Sequence, residues 1–226
     1  MVDKSFSRRA ALAATAFTAG LLLAGKAVAD EPQADKSDGA TAPFRPHFIG
    51  DLRAMALIRT DNNYFAHANT YYYSIDPGAG GVQLNLGAEL LPRLALVASA
   101  HYAIDGADRD SAQLRLQSAA ILGMARWSFY RTSGDDWHFD ATLQGGFGRY
   151  AIKETYLDPA ISPQTYEQDD GAWGGTVGLQ ASLTFSGFVA VAGYGFHCAP
   201  ATVSDRIGGT VQPGGHELSI GLGVWL

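Results

Sequence analysis

Apolar and polar residues alternate with a period of two in eight segments between His47 and Leu226. In the clearest segment, Val82 to Leu90, the even-numbered positions are apolar and the odd-numbered positions include Gln83, Asn85 and Glu89. Successive side chains of a β-strand point to opposite faces, so this period predicts strands with one apolar and one polar face. The predicted strands are residues 47–59, 81–91, 93–104, 112–130, 137–150, 172–183, 188–197 and 216–226.

The connections between these segments alternate between short and long. The short turns are Pro92, 132–136 and 184–187, and the longer loops are 60–80, 105–111, 151–171 and 198–215. Short turns on one side and long loops on the other are typical of barrels that cross an outer membrane, and an even strand number places both ends on one side. The pattern therefore predicts an all-β fold, an eight-stranded antiparallel up-and-down transmembrane β-barrel over residues 47–226.

A soluble eight-stranded cup of the lipocalin sort is the main architectural alternative. Its apolar faces would point inward, and its exterior would consist of the polar faces. Lys36 and Lys153 are the only lysines after residue 29, which is poor material for a soluble exterior. Charged residues make up 17% of the chain, against about 25% in an ordinary globular protein. Both observations favour the membrane barrel.

The amino terminus has the features of a signal peptide. A basic start with Lys4, Arg8 and Arg9 precedes an apolar run over residues 10–25, and Ala27-Val28-Ala29 forms a cleavage site, so residues 1–29 are predicted to be removed. The arginine pair also loosely resembles a twin-arginine signal. Residues 30–46 are acidic, rich in proline and without periodicity, which predicts a flexible periplasmic leader.

Charge excludes one class of partner. The first 29 residues hold four of the 16 basic residues and one of the 22 acidic ones, which leaves 12 and 21 and a net charge of −9. An acidic surface gives no support to nucleic-acid binding. We therefore expect no nucleic-acid partner.

The chain resembles the small eight-stranded outer-membrane barrels of the OmpA, OmpX, OmpW and opacity type. The resemblance covers the signal peptide, the strand and loop rhythm from His47 onward, and the terminal GGHELSIGLGVWL, which is similar to the insertion signal in the last strand of such proteins. The chain departs from that signal by ending on Leu226, where Phe or Trp is usual. The resemblance implies location in the outer membrane of a Gram-negative bacterium. It also implies contact with membrane lipid and lipopolysaccharide, and recognition of the last strand by the barrel-insertion machinery.

The polar faces predict a network of charged residues inside the barrel. Eight strands leave an interior that side chains just fill, and buried charges are costly unless they are paired. We expect Arg53 near Glu89, His101 near Arg115 and Arg59 near Glu217. In the fourth segment, Leu114, Leu116, Leu122 and Met124 are expected to face lipid, and Gln113, Arg115 and Gln117 to face the lumen. The predicted network consists of Asp51, Arg53, Arg59, Glu89, His101, Arg115, Asp140 and Glu217.

The long loops are the leading functional candidate. The first contains aromatic and amide residues of the kind that form adaptable contact surfaces. The first hypothesis is a structural or surface-interaction role through loops 61–80, 151–171 and 198–215, which would meet lipopolysaccharide, a host surface or another protein. The predicted contact residues are Tyr64, Phe65, His67, Tyr71, Tyr72 and Tyr73.

Two other hypotheses stay open. One is a narrow channel or a lateral exit path for small or apolar solutes, as OmpW-like barrels suggest. The other is a lipid A modifying enzyme, but the known deacylase pattern is a His-x-Ser on a late strand, and His197 is followed by Cys198 and Ala199. Ser99 and His101 have the right separation in reversed order, and their parity points them into the lumen. We predict no catalytic residue, no cofactor and no metal site, because the six histidines stand far apart in the sequence.

Overall fold

The computed structural model describes residues 46–60, 62–71, 77–109, 112–134, 136–159, 162–204 and 209–226. Residues 1–29 and 30–45 lie outside the described residues, so the signal peptide and most of the leader stay predictions. Tyr72 and Tyr73 of the expected contact surface also lie outside them.

Eight antiparallel strands close into a single barrel, which confirms the predicted fold class. Neighbours in sequence are neighbours in the ring, and the last strand pairs with the first from Ile49↔Trp225 to Ile58↔His216. The barrel strands are β1 (His47–Ile58), β2 (Gly78–Leu91), β3 (Leu94–Arg109), β4 (Ala112–Ser133), β5 (Trp137–Asp158), β6 (Ser162–Phe185), β7 (Phe188–Cys198) and β10 (Gly215–Trp225). The longer connections carry helix α1 (Asn62–Tyr71) and a ribbon of two short strands, β8 (Val203–Ser204) and β9 (Thr210–Val211).

Among the described residues, the structure contains no helix with the length and hydropathy needed to cross a membrane.

An apolar band surrounds the barrel. Large side chains such as Leu52, Leu179 and Ile220 are exposed on its outside, as the period-two pattern predicts. On β6, exposed aromatic residues mark both borders of the band, Trp173 at one and Phe185 at the other. Twelve residues separate them, about 40 Å along a strand and about 30 Å across a membrane at the usual tilt. This matches the hydrocarbon thickness of a bilayer.

The short turns lie at one end of the barrel. Between β6 and β7 the chain reverses through Ser186 (φ 47°) and Gly187 (φ 83°). Two central residues with positive φ are the hairpin turn whose twist matches that of the strands, and glycine adopts this conformation at no steric cost. The turn therefore stays short at this end.

At the opposite end, four strands continue well past the apolar band. β5 and β6 stay paired up to Asp158↔Ser162, so the prediction of a long loop at 151–171 is wrong, and β3 and β4 likewise occupy most of 105–111. Outside a membrane a strand needs no apolar outer face. Charged residues such as Lys153, Glu167 and Asp169 on the outside therefore hid the alternation in this region.

A small apolar core fills the inside of this extension. Helix α1 and the β8–β9 ribbon pack against the inward side chains of β3, β4 and β5, across the mouth of the barrel. We call the extension of β3–β6, together with α1 and the ribbon, the outer lobe. Its core consists of Tyr64, Phe65, Ala68, Ala107, Leu114, Leu116, Ile152, Ala201, Val203 and Val211.

The faces of β4 are the reverse of those predicted. Leu114, with 1% of its surface exposed, points inward into the outer-lobe core, and Leu122 and Met124 line an apolar patch of the lumen. Arg115 therefore points outward. An apolar inner face is stable here because other apolar residues cover it, and alternation alone cannot show which side of a strand is covered.

Candidate functional site

The lumen is filled by layers of buried polar side chains. In the layer nearest the short turns, Arg131 binds two carboxylates, with Nη1 3.1 Å from Glu89 Oε1 and Nε 2.6 Å from Asp140 Oδ1. Its guanidinium lies 5.1 Å from the ring centroid of Trp225. Glu89 and Asp140 are buried, and His138 Nε2 lies 3.4 Å from Asp140 Oδ2, so this layer holds two acidic side chains, one arginine and one histidine.

The next layer is centred on Asp51. Its carboxylate accepts hydrogen bonds from Arg53 Nη2 at 3.1 Å and Arg126 Nη1 at 3.3 Å, and from Asn85 Nδ2 at 2.6 Å. Arg53 Nη2 also donates to Gln180 Oε1 at 2.7 Å. Both arginines and the aspartate are buried, so two positive charges share one carboxylate.

Glu217 joins two histidines in the middle of the lumen. Its Oε2 atom lies 3.0 Å from His101 Nδ1 and 3.0 Å from His197 Nε2. The second ring nitrogen of each histidine has a partner of its own, Ser99 Oγ at 2.7 Å from His101 Nε2 and the Tyr150 hydroxyl at 2.9 Å from His197 Nδ1. The layer thus combines residues from β3, β5, β7 and β10.

A last polar layer lies beneath the outer-lobe core. Arg59 donates to Ser118 Oγ at 3.0 Å and lies 3.9 Å from Asp105 Oδ2. The hydroxyl of Tyr64 donates to Glu154 Oε1 at 3.0 Å, which ties α1 to β5. Polar layers and an apolar cap therefore follow one another along the barrel axis.

The structure places seven of the eight predicted network residues in the lumen, and Arg115 outside it. The three expected pairs are wrong. Arg53 contacts Asp51 in place of Glu89, Arg59 contacts Ser118 in place of Glu217, and His101 contacts Glu217. The prediction treated strands as level, whereas barrel strands are tilted and staggered, so residues of one layer come from different positions along their strands.

Sequence reasoning missed two arginines and a histidine of the lumen. Arg126 was hidden by the inverted faces of β4. Arg131 follows a bulge between Ser128 and Tyr130 that changes the parity of the strand, and a bulge leaves no mark in the alternation. His197 has the inward parity of β7 and could have been found from it.

The expected contact surface on the first long loop is wrong for its two central residues. Tyr64 is 0% exposed and Phe65 4% exposed, because both belong to the outer-lobe core. His67 is exposed on the far side of α1. Tyr71 ends the helix, and its side chain, like Tyr72 and Tyr73, lies outside the described residues. An amphipathic helix, and not an open loop, explains this division of the aromatic residues.

The outside of the outer lobe is polar and ordered by local ion pairs. Arg115 lies 2.7 Å from Asp108, which holds the pKa of that carboxyl below its ordinary value, and Lys153 lies 2.9 Å from Glu167. Asp170 accepts hydrogen bonds from the backbone amides of Thr202 and Gly171, both at 2.7 Å, and these amides lower its pKa. The Asp170 contact fastens the segment after β7 to the edge of β6.

Ser99, His101 and Glu217 are connected in the order of a hydrolase triad, with the hydroxyl on one ring nitrogen and the carboxylate on the other. Ser99 is 1% exposed and faces the filled lumen, so a lipid acyl group has no approach to it. The His-x-Ser pattern of the deacylases is also missing, because Cys198 and Ala199 follow His197. In addition, His197 points inward, whereas the histidine of that pattern faces outward. The absence of enzyme activity stays a prediction.

No family model and no curated protein matches the chain. The crystal structure of Ail, the attachment invasion locus protein of Yersinia pestis, is similar to it with a TM-score of 0.53 at 13% identity, over 80% of this chain and 98% of that one. Ail in complex with the heparin analogue sucrose octasulfate gives a TM-score of 0.55 at 13% identity, over 81% and 100%. The fold is that of a small outer-membrane barrel. The predicted resemblance is thereby confirmed at the level of fold, and a fold by itself assigns no binding activity.

Proposed function

We propose that this protein is a closed outer-membrane barrel that presents the outer lobe as a contact surface at the lipopolysaccharide layer. The observation that carries the proposal is the outer-lobe core, which covers the mouth of the barrel and supports four strands beyond the apolar band. A channel would need an open mouth. A contact protein needs a firm projecting surface, and the packed core of the lobe provides one.

The filled lumen supports the closed state. The cavity beside Asp51 and Arg126 measures about 40 Å³, and the cavity beside His101 and His197 about 20 Å³. Cavities of these two sizes hold a few water molecules at most. A wider cavity of about 400 Å³ lies at the short-turn end, against Glu89, Arg131 and Trp225. Buried arginines bound to carboxylates stay in place, because separating them would leave charges unpaired in the barrel.

Charge gives the outside of the outer lobe no strong preference for one class of partner. Among the outward side chains that the structure describes there, Asp108, Glu167, Asp169 and Asp170 stand beside Arg115, Arg149 and Lys153. Arg115 is paired with Asp108 and Lys153 with Glu167, so much of this charge is cancelled locally. A contact with an anionic group therefore depends on a single arginine and not on the net charge of the lobe.

Arg149 is the side chain best placed for lipopolysaccharide. It is exposed, points outward and pairs in register with Trp173 at the border of the apolar band. Arginine binds phosphate through charge-assisted hydrogen bonds. Trp173 is stacked on Phe147 with ring centroids 5.6 Å apart. The chain has four tryptophans, so the part of the fluorescence change that Trp173→Phe removes is the part that reports on this border.

Two measurements test the proposal. In planar bilayers, the folded chain is expected to give no steady ion conductance, and a stable open pore would favour the channel hypothesis instead.

In a titration of the detergent-folded chain with purified lipopolysaccharide, we expect a change in tryptophan fluorescence that is weakened in Arg149→Ser and kept in Arg115→Ser. Arg115 is the matched control, because it is an outward arginine of the lobe held by Asp108. Equal responses of the two variants would count against the lipopolysaccharide contact.

A further inference from the structure

The layer around Glu217 contains three side chains that can bind a metal ion. One ring nitrogen of His101, one of His197 and one oxygen of Glu217 all lie within 4.8 Å of one another, and all three residues are buried. We propose that these residues form a site for a single divalent transition-metal ion, with ligands suited to zinc, inside the barrel.

Ligand type and spacing support zinc. Two histidines and a glutamate are a known zinc ligand set, which leaves a fourth position for water. With metal–ligand distances of about 2.0–2.1 Å, the ligand atoms of a tetrahedral site lie about 3.3 Å apart. The two 3.0 Å distances from Glu217 to the histidines therefore need to lengthen by only a few tenths of an ångström, and the histidine nitrogens, within 4.8 Å of each other, come to the same spacing when both bind the ion.

The partners of the histidines orient both rings as a metal site requires. A histidine that binds a metal through one nitrogen carries its proton on the other, where an acceptor must meet it. Ser99 Oγ lies at that position for His101, and the Tyr150 hydroxyl for His197. The side-chain amide of Gln83 also lies 3.3 Å from His101 Nε2 and donates to Ser99 Oγ. The Tyr150 hydroxyl lies 3.3 Å from the carbonyl oxygen of Gly175 and donates to it, so it can accept the proton of His197.

These hydrogen bonds leave a position between His197 Nε2 and Glu217 Oε2 that suits a cation. When the Tyr150 hydroxyl donates its hydrogen bond to the Gly175 carbonyl oxygen, His197 Nδ1 can donate to that hydroxyl, and in this tautomer the lone pair of Nε2 points toward Glu217 Oε2, 3.0 Å away. Two acceptors then face each other, an arrangement that is unfavourable without a proton or a metal ion between them. A divalent ion at this point is bound by both and also offsets the buried charge of Glu217.

The surroundings leave room for the fourth ligand. A cavity of about 20 Å³ lies against His101, His197 and Glu217, and its other walls include Met55 and Leu57. This volume fits one water molecule. The ligands stand on β3, β7 and β10, whose backbone ladders fix their positions, so a bound ion would connect three strands across the lumen.

The test uses the mature chain without a histidine tag, folded in detergent and exposed to zinc either during or after refolding. After gel filtration, we expect one zinc per chain by elemental analysis in at least one of the two preparations. Cobalt in place of zinc is expected to give the intense visible bands of a tetrahedral site. Glu217→Gln and His197→Asn should lose both signals, with folding checked by electrophoresis of unboiled samples. His216→Asn is the matched control, since His216 is next to Glu217 in sequence and is stacked on Tyr194 outside the lumen.

Less than a tenth of a zinc per chain in both preparations would overturn the proposal. So would one zinc per chain that persists in both Glu217→Gln and His197→Asn, because the metal would then lie elsewhere on the chain. Neither result bears on lipopolysaccharide binding, which uses the outer border of the barrel.

Discussion

At the scale of single residues, Asp51 compensates the charge of two buried arginines of the lumen. It is the only acidic side chain in contact with both Arg53 and Arg126 among the described residues, and all three are buried. Removing one partner of a buried ion pair leaves an uncompensated charge, which costs about 3–5 kcal/mol. Here one carboxylate serves two arginines, so the loss affects both.

We therefore expect Asp51→Asn to lower the free energy of unfolding by about 3–5 kcal/mol, measured by urea titration of the chain folded in lipid vesicles. The control is Asp108→Asn, which breaks the exposed pair with Arg115 and should leave the unfolding midpoint unchanged. Equal midpoints for Asp51→Asn and the wild type would show that the lumen charges do not stabilise the barrel.

The side of the strand on which Asp51, Arg53 and Glu89 lie was predictable from the sequence, but their partners were not. Asp51, Arg53 and Glu89 were placed in the lumen by parity alone, because a strand has only two faces. Their contacts depend on strand stagger, which the alternation does not record. Glu89 is paired with His47 in the β1–β2 ladder, and Arg53 with Gln83, so Arg53 and Glu89 belong to different layers.

At the scale of elements, β4 shows that the alternation of apolar and polar residues predicts a strand but not which of its faces points to lipid. Its period was correctly read as a strand, but its apolar face was assigned to lipid. The correct choice requires knowledge of the outer-lobe core, which is built from α1 and the β8–β9 ribbon, two elements distant in sequence. Alternation predicts strands from local information, whereas the covering of a face is a tertiary property.

In the outer lobe, one edge of β6 extends beyond its pairing with β7. Beyond Gly175↔Cys198 the strand has no pairing with β7, and the segment after β7 is attached to it through Asp170. Exposed strand edges invite pairing with other chains, and charged side chains reduce that risk. Glu167, Asp169 and Asp170 supply such charges here.

We predict that the attachment of this segment is lost in acid. The backbone amides of Thr202 and Gly171 lower the pKa of Asp170 below 3.8, so the contact is fully present above that pH and is lost as pH falls through the lowered pKa. In amide NMR spectra of the detergent-folded chain, the Thr202 signal should be constant from pH 8 to pH 5 and should titrate with a midpoint below 3.8. Asp170→Asn should abolish this titration and Asp169→Asn should keep it. A Thr202 midpoint that is the same in Asp170→Asn would mean that another group holds the segment.

At the scale of the whole molecule, closure of the ring decides whether the barrel is stable in a membrane. Every backbone group in the hydrocarbon region must find a partner inside the protein, so the seam between β1 and β10 is as necessary as any other ladder. It holds ten residue pairs, Leu52↔Leu222 near its centre.

Closed barrels of this kind resist detergent until they are boiled. We therefore expect the mature chain, isolated from outer membranes, to migrate faster unboiled than boiled. Leu222→Pro, which removes a ladder donor at the seam, should abolish the faster band, whereas Leu222→Val, which keeps the donor and the lipid-facing apolar side chain, should retain it. A chain that is recovered in the periplasm and shows no shift would instead mean that its apolar faces are covered by protein, and the soluble cup would become the better description.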